Sequence, residues 1–582
     1  MKYKALVLIP FLLASCSTNT KKDNTISVMI EQGDNYNVFT PSIKIKRGSD
    51  ALFQVSLKNN AVISNVSYSN YSIDYTESLA NLTLKNVLYP TVVKLEVSID
   101  YVTIDSNGGV IEDSDESTFN YTLYREHKRV NTPLGNNLSK DGYQLYGFKE
   151  NKDDNESIPL GSRFSRATKT LYADYKKEVD KNSIGYKVLD NNKCTITSYT
   201  GLDSEVILPS SIDGYEVTQI DENAFQNKNI DILFLPKTIK TVNDNAFINC
   251  NIKTISLFDN IKRIKDSSFN NCTINKIRIN ANQKPCYMRT YYALFTDKVD
   301  LLIEKENTKK LVLFSGSTTR YGYNCSYLKE AYPSYNPINM GVFAYTNQAP
   351  QLEIIEHFLK DNDILLVSPE YDYNAFDVQF FTDNKLDSIF FRLIESDYQL
   401  FQYVNLKNYT NIFDAFSEYT NEKLMLSKNS YSESPQYYDD DQHYYSYKIY
   451  NEYMDFSLER YGDVESGRIY QPEIDYTTKR FTDEVFNTYN NFYKNYTTKN
   501  IKILFTYAPR NIDSLTAEST LENRQELEKL IQQKLNLTII SKLEDSFYPA
   551  YDFYLIDDHL TSEGAIIRTK KIIEDLKPYI TD

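Results

Sequence analysis

The stretch YEVTQIDENAFQNKNIDILFLPKTIKTVNDNAFINCNIKTISLFDNIKRIKDSSFNNCTINKIRIN, residues 215–280, repeats itself every 22 residues. The period is kept at four apolar positions: Phe225, Phe247 and Phe269; Ile220, Val242 and Ile264; Leu233, Ile255 and Ile277; Leu235, Leu257 and Ile279. One fixed period at several positions is the signature of a solenoid. Each unit has one short strand and a turn, so it buries its apolar face only by stacking on its neighbours.

The beginning of this region also has a distinctive phrasing, CTITSYTGLDSEVILPSSIDGYEVTQIDENAF, residues 194–225. It resembles the BspA-like leucine-rich repeat, with Leu208 in place of the usual Ile before Pro209. The resemblance covers residues 184–281 and implies a surface for contact with a protein or a glycan. Because three or four repeats make a short array, a role as a connector stays open.

Two strand-rich segments precede the repeats. Residues 26–100 alternate polar and apolar positions in short runs such as ALFQVSLKNN, which predicts a small antiparallel β-sandwich with a spacer or adhesion role. Residues 101–178 contain VTIDSNGG, KDGYQLYGFKENKDD and LGSRFSRATKTLYADY. These pieces resemble the internalin-type β-grasp repeat of bacterial surface proteins, which implies a display module without chemistry of its own.

The first residues have the layout of an export signal. Two lysines precede an apolar run, residues 5–14, that is too short to span a bilayer and ends in Leu-Ala-Ser-Cys at Cys16. This ending resembles the lipobox of bacterial lipoproteins. It implies a signal peptide over residues 1–16, lipidation of Cys16, a tether over residues 17–25, and an extracytoplasmic chain held to the membrane at the bacterial cell surface. A plain signal peptide with an incidental cysteine is the alternative.

Composition narrows the range of partners. The net charge of −15 argues against nucleic acid and acidic lipid as main partners. With six cysteines and no CxxC pair, the chain lacks the ligand spacing of a zinc site. We therefore expect neither a metal nor a cofactor.

The last part of the chain, residues 282–582, alternates strand-like and helical patterns. Strand-like runs such as KKLVLFSG, NDILLVSPEY and NIKILFTYAP alternate with helical ones such as QLEIIEHFLKDN and AIIRTKKIIEDLKPYI. This predicts a three-layer, flavodoxin-like α/β domain whose parallel sheet has helices on both faces. The chain as a whole is then multidomain: all-β modules, a short repeat array and a C-terminal α/β domain. Such sheets bind ligands at the carboxyl ends of their strands.

A serine follows the first of these strands. Ser317, after Gly316, is placed to bring its hydroxyl to the carboxyl edge of the sheet, although Ser is also a favoured N-cap. It is a nucleophile only if a base takes its proton. The chain has four histidines: His127, His357, His443 and His559. His559 precedes the last helix and is the candidate base, with a capping or surface role as the alternative.

Four stretches of this domain, FSGSTTRYGYN, INMGVFAYTNQAP, DILLVSPEYD and DDHLTSEGAIIRT, resemble the SGNH/GDSL hydrolase superfamily. The similarity is greater to its extracytoplasmic branch, which works on cell-envelope polymers. The resemblance implies that Ser317 is the nucleophile and His559 the general base. It also implies that the N–H groups of Ser317 and Gly341 form an oxyanion hole.

The sequence departs from that family in its third oxyanion donor. The family has an Asn in a G-x-N-D block, where this chain has Ser-Pro-Glu-Tyr at residues 368–371. Glu370 is an acceptor unless it is protonated, whereas the Tyr371 hydroxyl is a candidate donor.

A second departure concerns the acid that orients the histidine. It usually lies three or four residues before the His, and those positions hold Ile556 and Leu555. Asp557 and Asp558 are adjacent to His559 and are candidates after a one-residue shift; a Ser-His dyad oriented by a backbone carbonyl is the alternative. Loss of the acid costs about 10⁴-fold in a serine protease.

These observations predict a surface-anchored serine esterase or acyltransferase that acts on O-acyl groups of cell-envelope or host glycans. The glycan or acylated polymer is then the substrate, and a protein partner is expected on the repeats. The alternative is a non-catalytic adhesin or interaction lipoprotein with a degenerate SGNH-like domain.

Overall fold

The computed structural model describes residues 24–58, 61–75, 79–123, 129–287, 290–371, 375–376, 384–428, 450–462 and 473–580. The chain divides into two compact units. One is formed by residues 1–102 with 121–127, and the other by residues 103–120 with 128–582. The predicted signal peptide and Cys16 lie outside the described residues, as do His127 and His443.

The first unit consists of β-strands whose alternating residues are buried. In β4 the side chains of Ala51, Phe53, Val55 and Leu57 are buried, and the residues between them face outward. These residues join one apolar core with those of the neighbouring sheets, so the predicted strand-rich module is present. The strands are β1 Thr25–Ile30, β2 Tyr36–Val38, β3 Ser42–Lys46, β4 Ala51–Leu57, β5 Ala61–Val66, β6 Tyr71–Tyr75, β7 Leu79–Leu84, β8 Thr91–Val93 and β9 Leu95–Ile99.

The next segment forms a small mixed sheet. Its strand order is β12-β10-β17-β15, with β10 parallel and β15 antiparallel to β17. The strands of this segment are β10 Tyr101–Asp105, β11 Val110–Ile111, β12 Thr118–Thr122, β13 Arg129–Asn131, β14 Leu138–Ser139, β15 Tyr143–Lys149, β16 Arg163–Ser165 and β17 Thr170–Lys177.

The repeat array follows as stacked parallel strands. Leu233 pairs with Ile255, and Ile255 pairs with Ile277, so strand register reproduces the 22-residue period of the sequence. The four stacked strands are β20, β23, β25 and β26 in that order. The strands of the array are β18 Ile184–Leu189, β19 Lys193–Tyr199, β20 Glu205–Ile207, β21 Ser211–Ile212, β22 Tyr215–Ile220, β23 Asn229–Phe234, β24 Thr241–Val242, β25 Asn251–Phe258 and β26 Thr273–Asn280.

The turns of the repeats rely on asparagines. Asn227, Asn249 and Asn271 adopt left-handed backbone with φ of 59°, 58° and 55°. Among non-glycine residues, Asn tolerates this region best. The side chain of Asn249 donates to that of Asn227 at 3.1 Å, and Asn271 donates to Asn249 at 3.3 Å. The amides therefore link successive turns along the array.

The C-terminal part contains a five-stranded parallel sheet in the order β28-β27-β29-β30-β32. Its strands are joined by helices, as the alternating sequence pattern predicted. The strands are β27 Lys310–Phe314, β28 Asn336–Asn339, β29 Ile364–Val367, β30 Lys502–Phe505, β31 Arg510–Asn511, β32 Thr538–Ile539 and β33 Phe547–Tyr548. The helices are α1 Leu294–Glu304, α2 Ser317–Tyr321, α3 Cys325–Ala331, α4 Ala349–Phe358, α5 Ser388–Ile394, α6 Ile412–Lys428, α7 Asp483–Lys494, α8 Leu521–Lys534 and α9 Ser562–Leu576.

Each face of this sheet has its own core. On β27, Leu311 and Leu313 belong to one apolar cluster, with residues of α3 and α9. Val312 and Phe314 belong to the other, with residues of α1 and α4. Both faces are thus covered by helices, which explains why every residue of β27 is buried.

A line of stacked aromatic rings joins the repeats to the helices. The ring centroids of Tyr199 and Phe225 are 5.3 Å apart, those of Phe225 and Phe247 5.0 Å, and those of Phe247 and Phe269 5.3 Å. The next ring is Phe413 of α6, at 4.3 Å from Phe269. Helix α6 therefore covers the end of the array, where an open solenoid would expose its core.

Buried ion pairs tie the β13–β16 segment to α1. Arg129 contacts Asp300 at 2.8 Å and Asp397 at 2.9 Å. Arg163 contacts Asp297 at 2.8 Å and Asp300 at 2.5 Å. If the chain were cut into separate domains at residue 282, the arginines and the aspartates would lie in different domains and lose their partners. Buried charges are stable only when they are paired.

A second buried group ties the repeats to α6. Lys423 contacts Asp259 at 2.5 Å and Glu395 at 2.8 Å, and the Tyr398 hydroxyl donates to Asp259 at 2.9 Å. Although burial alone lowers the pKa of Lys423, the two carboxylates raise it well above its ordinary value. The repeats and the α/β part are therefore integral parts of one unit.

Candidate active site

Ser317 is the first residue of α2 and directly follows the turn that leaves β27. It is half-buried, whereas the residues on either side of it are buried. A Cβ at Gly316 would lie 2.7 Å from Oε1 of Glu370 and 2.8 Å from Cα of Ala344, so only glycine fits this turn. The strand-to-helix turn thus places the Ser317 hydroxyl at the carboxyl edge of the sheet.

Glu370 reaches the same turn from the end of β29. Its Oε1 accepts a hydrogen bond from the N–H of Thr318 at 2.7 Å. The side chain is almost completely buried, at 7% exposure. A carboxylate at this point satisfies a free N–H at the start of α2 and stabilises the turn. It also places an acceptor beside the predicted nucleophile.

Gly341 follows β28 and lies against α2. Its N–H donates to Oδ1 of Asn339 at 3.0 Å, so this predicted oxyanion donor has an acceptor within the protein. A Cβ at Gly341 would overlap the backbone of Thr319 and Arg320, which makes glycine necessary for the close approach to α2. The side chain of Asn339 also donates to the Thr319 carbonyl oxygen at 3.0 Å.

A buried polar cluster surrounds Asn339. Its side chain donates to Oδ1 of Asp455 at 3.0 Å, and Nζ of Lys298 donates to its carbonyl oxygen at 2.5 Å. Burial lowers the pKa of Lys298 to about 7, although Asp455 opposes this shift. Burial also raises the pKa of Asp455, which accepts from the N–H of Cys325 at 2.6 Å. These groups hold Asn339, and through it the position of Gly341.

His559 lies in the loop before α9 and is 2% exposed. Its ring packs on Tyr321, the last residue of α2, with centroids 4.3 Å apart and planes at 41°. Tyr321 is one helical turn from Ser317, so His559 packs against the same short helix that begins with Ser317. Within the described part of the chain, no hydrogen bond joins the Ser317 hydroxyl to the His559 ring.

The two acids before His559 have other partners. Oδ1 of Asp557 accepts from Nδ2 of Asn511 at 2.8 Å, and its carbonyl oxygen accepts from the Asn511 N–H at 2.8 Å. Asp558 forms an ion pair with Arg510 at 3.7 Å. The segment from β31 therefore fixes the loop that carries His559.

The remaining candidate, Tyr371, is held by contacts with a later segment of the chain. Its hydroxyl donates to the carbonyl oxygen of Asp475 at 2.7 Å, and its ring stacks on Tyr476 with centroids 3.9 Å apart. His357 lies elsewhere, stacked on Tyr403 at 3.7 Å. The structure thus gathers Ser317, Gly341 and His559 around α2, with Glu370 as a further member.

Sequence reasoning missed the supporting residues of this site. Asn339, two positions before Gly341, could have been found from the sequence, because it is a polar residue at a strand end. Lys298 could not, because a single lysine in a helix is ordinarily exposed. Arg568 of α9 was also missed; it is buried and donates to the Ser368 hydroxyl at 2.8 Å.

The comparison with known families concerns the repeats. A family model described as the BspA type leucine rich repeat region matches residues 218–299 in six copies. The chain carries BspA-type leucine-rich repeats. The matched residues include the stacked strands β23, β25 and β26. They also include the middle of the line of stacked aromatic rings, around Phe247, and extend into α1. No curated protein matches this chain.

Two further properties hold for the described residues. None of their helices is both long enough and apolar enough to cross a membrane. Within the same ranges, no three His, Cys, Asp or Glu side chains are grouped in a way that would hold a metal ion.

Proposed function

We propose that the C-terminal part is an SGNH-type serine ester hydrolase or acyltransferase that acts on O-acyl groups of cell-envelope or host glycans. The observation that carries this proposal is the position of Ser317 at the start of α2, with His559 packed on Tyr321 of the same helix. In the SGNH/GDSL superfamily the catalytic serine comes first in the chain and the histidine last. A nucleophile at the carboxyl edge of a parallel sheet and a base from the last loop agree with that order.

Proton transfer from Ser317 requires a hydrogen bond between its hydroxyl and the His559 ring. A general base works when it lies about 2.6–3.2 Å from the proton donor, and such contacts often tighten only when substrate binds. We propose that substrate binding forms that hydrogen bond by moving the Ser317 side chain or the loop that carries His559. The Asn511 contact to Asp557 limits how far this loop moves.

Glu370 sets a condition on catalysis. The Thr318 N–H is bonded to its carboxylate, and the Gly341 N–H is bonded to Asn339. An oxyanion forming on the substrate would be repelled by a charged carboxylate at this point. The mechanism therefore needs Glu370 to be protonated or displaced when the acyl group binds.

The proposed location and partners rest on the sequence resemblances and on the family match of the repeats. We propose that lipidated Cys16 anchors the chain to the bacterial cell surface and that the leucine-rich repeats bind a protein or glycan there. The family match of the repeats supports a surface role, because BspA-type repeat proteins are typically surface-associated.

A non-catalytic interaction protein is the second candidate. It is favoured by the two satisfied N–H groups beside Ser317 and by the family match, which covers the repeats and not the sheet of the α/β part. In that case the α/β part serves to cap the repeats through α6, as the Phe269–Phe413 contact does.

Ester hydrolysis by the full chain separates these candidates. We expect turnover of p-nitrophenyl acetate that falls at least about 100-fold in Ser317→Ala. Ser326→Ala is the matched control, because that hydroxyl is exposed on α3 and bonded to Asn324. Equal rates in the wild type and both variants would reject the nucleophile and favour the interaction protein.

A further inference from the structure

Two loops of the first unit meet beside the start of β1. The Gly48 N–H donates to the carbonyl oxygen of Val87 at 2.7 Å, and the Val87 N–H donates to that of Ser49 at 3.1 Å. The Val87 side chain is fully buried, so it fixes this contact to the core of the unit. Residues 46–50 and 85–90 therefore form one surface, which we call the entry tip.

The entry tip exposes apolar side chains. Tyr89 is 67% exposed and Leu88 45%, and the adjoining Pro90 is exposed as well. The guanidinium of Arg47 lies over the Tyr89 ring, at 5.7 Å from its centroid. Tyrosine rings favour the headgroup level of a bilayer, and basic side chains are attracted to anionic lipids. This combination favours a lipid surface as the partner.

The charge of the entry tip is opposite to that of the whole chain. Its exposed residues include three basic ones, Lys46, Arg47 and Lys85, and one acidic one, Asp50. The chain carries a net charge of −15. An anionic bilayer that repels the chain as a whole therefore attracts this end of the first unit.

The path of the chain brings the entry tip close to the proposed anchor. The Arg47 N–H donates to the carbonyl oxygen of Asn24 at 2.9 Å, so the chain enters β1 at this tip. Residues 17–24 connect this point to Cys16, and eight residues span at most about 29 Å. A lipid on Cys16 would hold the entry tip near the headgroups, where even a weak contact is populated because its effective concentration is high.

We infer that the entry tip docks on the anionic bilayer that holds the anchor, with the Tyr89 ring at headgroup level and the basic side chains on the lipid phosphates. This inference rests on the proposed lipidation of Cys16. It adds that the first unit has a fixed end toward the membrane, instead of moving freely on its tether.

A single introduced Trp tests this docking, because the chain contains no Trp of its own. The acylated full chain carrying Tyr89→Trp is incorporated into vesicles of phosphatidylcholine and phosphatidylglycerol that contain brominated phosphatidylcholine. Flotation measures anchoring, and Trp emission measures contact with lipid. The emission should shift to shorter wavelength and be quenched about twofold relative to vesicles without bromine.

Phe39→Trp is the matched control. Phe39 is 58% exposed and lies two residues before Pro41, whose carbonyl oxygen accepts from the N–H of Ile30 at the opposite end of β1. A Trp at this position should float with the vesicles and remain unquenched.

The basic side chains should strengthen the docking. In the Tyr89→Trp chain, Lys46→Gln should lower the ratio of docked to undocked protein about fivefold, since one cation near an anionic surface is lost. Lys94→Gln, at an exposed lysine that follows β8, should leave the ratio unchanged. Vesicles of phosphatidylcholine alone should give weaker quenching than the anionic ones.

Each other outcome overturns the inference in a distinct way. Flotation of the chain with equal, unquenched emission from both Trp variants would reject the docking and leave the anchor intact. Failure of both variants to float would reject the anchor, and the docking with it. A shift of the Tyr89→Trp emission that needs no vesicles and grows with protein concentration would assign the entry tip to a second copy of the chain.

Discussion

The carboxylate of Glu370 accepts the N–H of Thr318 at 2.7 Å, so an acidic side chain lies beside the residue that follows Ser317. In an esterase this region has to stabilise negative charge on the substrate. The contact therefore decides how the proposed active site operates.

Replacing Glu370 by Gln should increase ester hydrolysis. The amide keeps an acceptor for Thr318 and removes the negative charge, so we expect a rise on the order of tenfold at pH 7. Steady-state kinetics of the full chain measure this. Glu222→Gln, on the repeats, is the control. A lower rate in Glu370→Gln would show that the carboxylate takes part in the reaction.

Removing the ring of Phe413 should destabilise the second unit. Phe413 is buried and stacks on Phe269 at 4.3 Å, and truncation of a buried Phe costs about 3–5 kcal/mol. Phe413→Ala should lower the unfolding free energy in urea by about that amount. Phe39→Ala, at a ring with 58% exposure in the first unit, should change it by less than about 0.5 kcal/mol. Equal stability of the two variants would mean that α6 does not cap the repeats.

The ion pairs of Arg163 should contribute strongly to stability. Arg163→Met leaves Asp297 and Asp300 with less compensation, and breaking a buried pair costs about 3–5 kcal/mol. Arg263→Met removes an exposed pair with Asp244 and should cost about 0–1 kcal/mol. Thermal unfolding of both variants tests the difference. Similar melting temperatures would contradict a role of this cluster in holding β13 and β16 on α1.

The junction of the repeats with α6 should respond to pH. The Asp414 N–H donates to Asp266 at 3.4 Å, and the Asp266 N–H donates to Asp414 at 3.3 Å, so two carboxylates meet. Burial, together with a hydrogen bond that the protonated Asp266 side chain donates to the Asp414 carboxylate, raises the pKa of Asp266 from 3.8 to about 7. A raised folded-state pKa gives stability that is present below about pH 4 and is lost as the pH rises to about 7.

Because Asp266 is partly exposed, solvent screening reduces this contribution to about 1–2 kcal/mol. Urea unfolding of the wild type and of Asp266→Asn between pH 4 and pH 8 measures it. The wild type should lose this increment relative to Asp266→Asn as the pH rises. Asp231→Asn, on the exposed surface of the array, should follow the wild type. Parallel pH profiles for wild type and Asp266→Asn would contradict the raised pKa of Asp266.

The fold was predictable where one local pattern repeats. The 22-residue period of Phe225, Phe247 and Phe269 requires stacked rungs, and alternating strands and helices require a covered parallel sheet. Phe413 was not predictable as the next ring of the line, because it belongs to a helix far along the chain. Nor were the Arg129 and Arg163 pairs, since a charged residue in sequence is ordinarily exposed.

Within the candidate site, the turn that carries Ser317 was predictable from the sequence, whereas the residues packed around it were less so. Gly316 and Ser317 follow an apolar strand, which fixed the turn from local chemistry alone. The Glu370–Thr318 bond and the Asn339 support of Gly341 depend on how neighbouring strands meet. Whether Asp557 or Asp558 serves His559 stays a prediction.

Covalent labelling tests the central claim most directly. The full chain is treated with a fluorophosphonate, digested, and the modified residue is identified by mass spectrometry, with Ser317→Ala and Ser326→Ala in parallel. An active serine reacts because its base removes the hydroxyl proton. The account predicts one adduct on Ser317 that is absent from Ser317→Ala and retained in Ser326→Ala. An unlabelled Ser317, under conditions where a known serine esterase reacts completely, would contradict it.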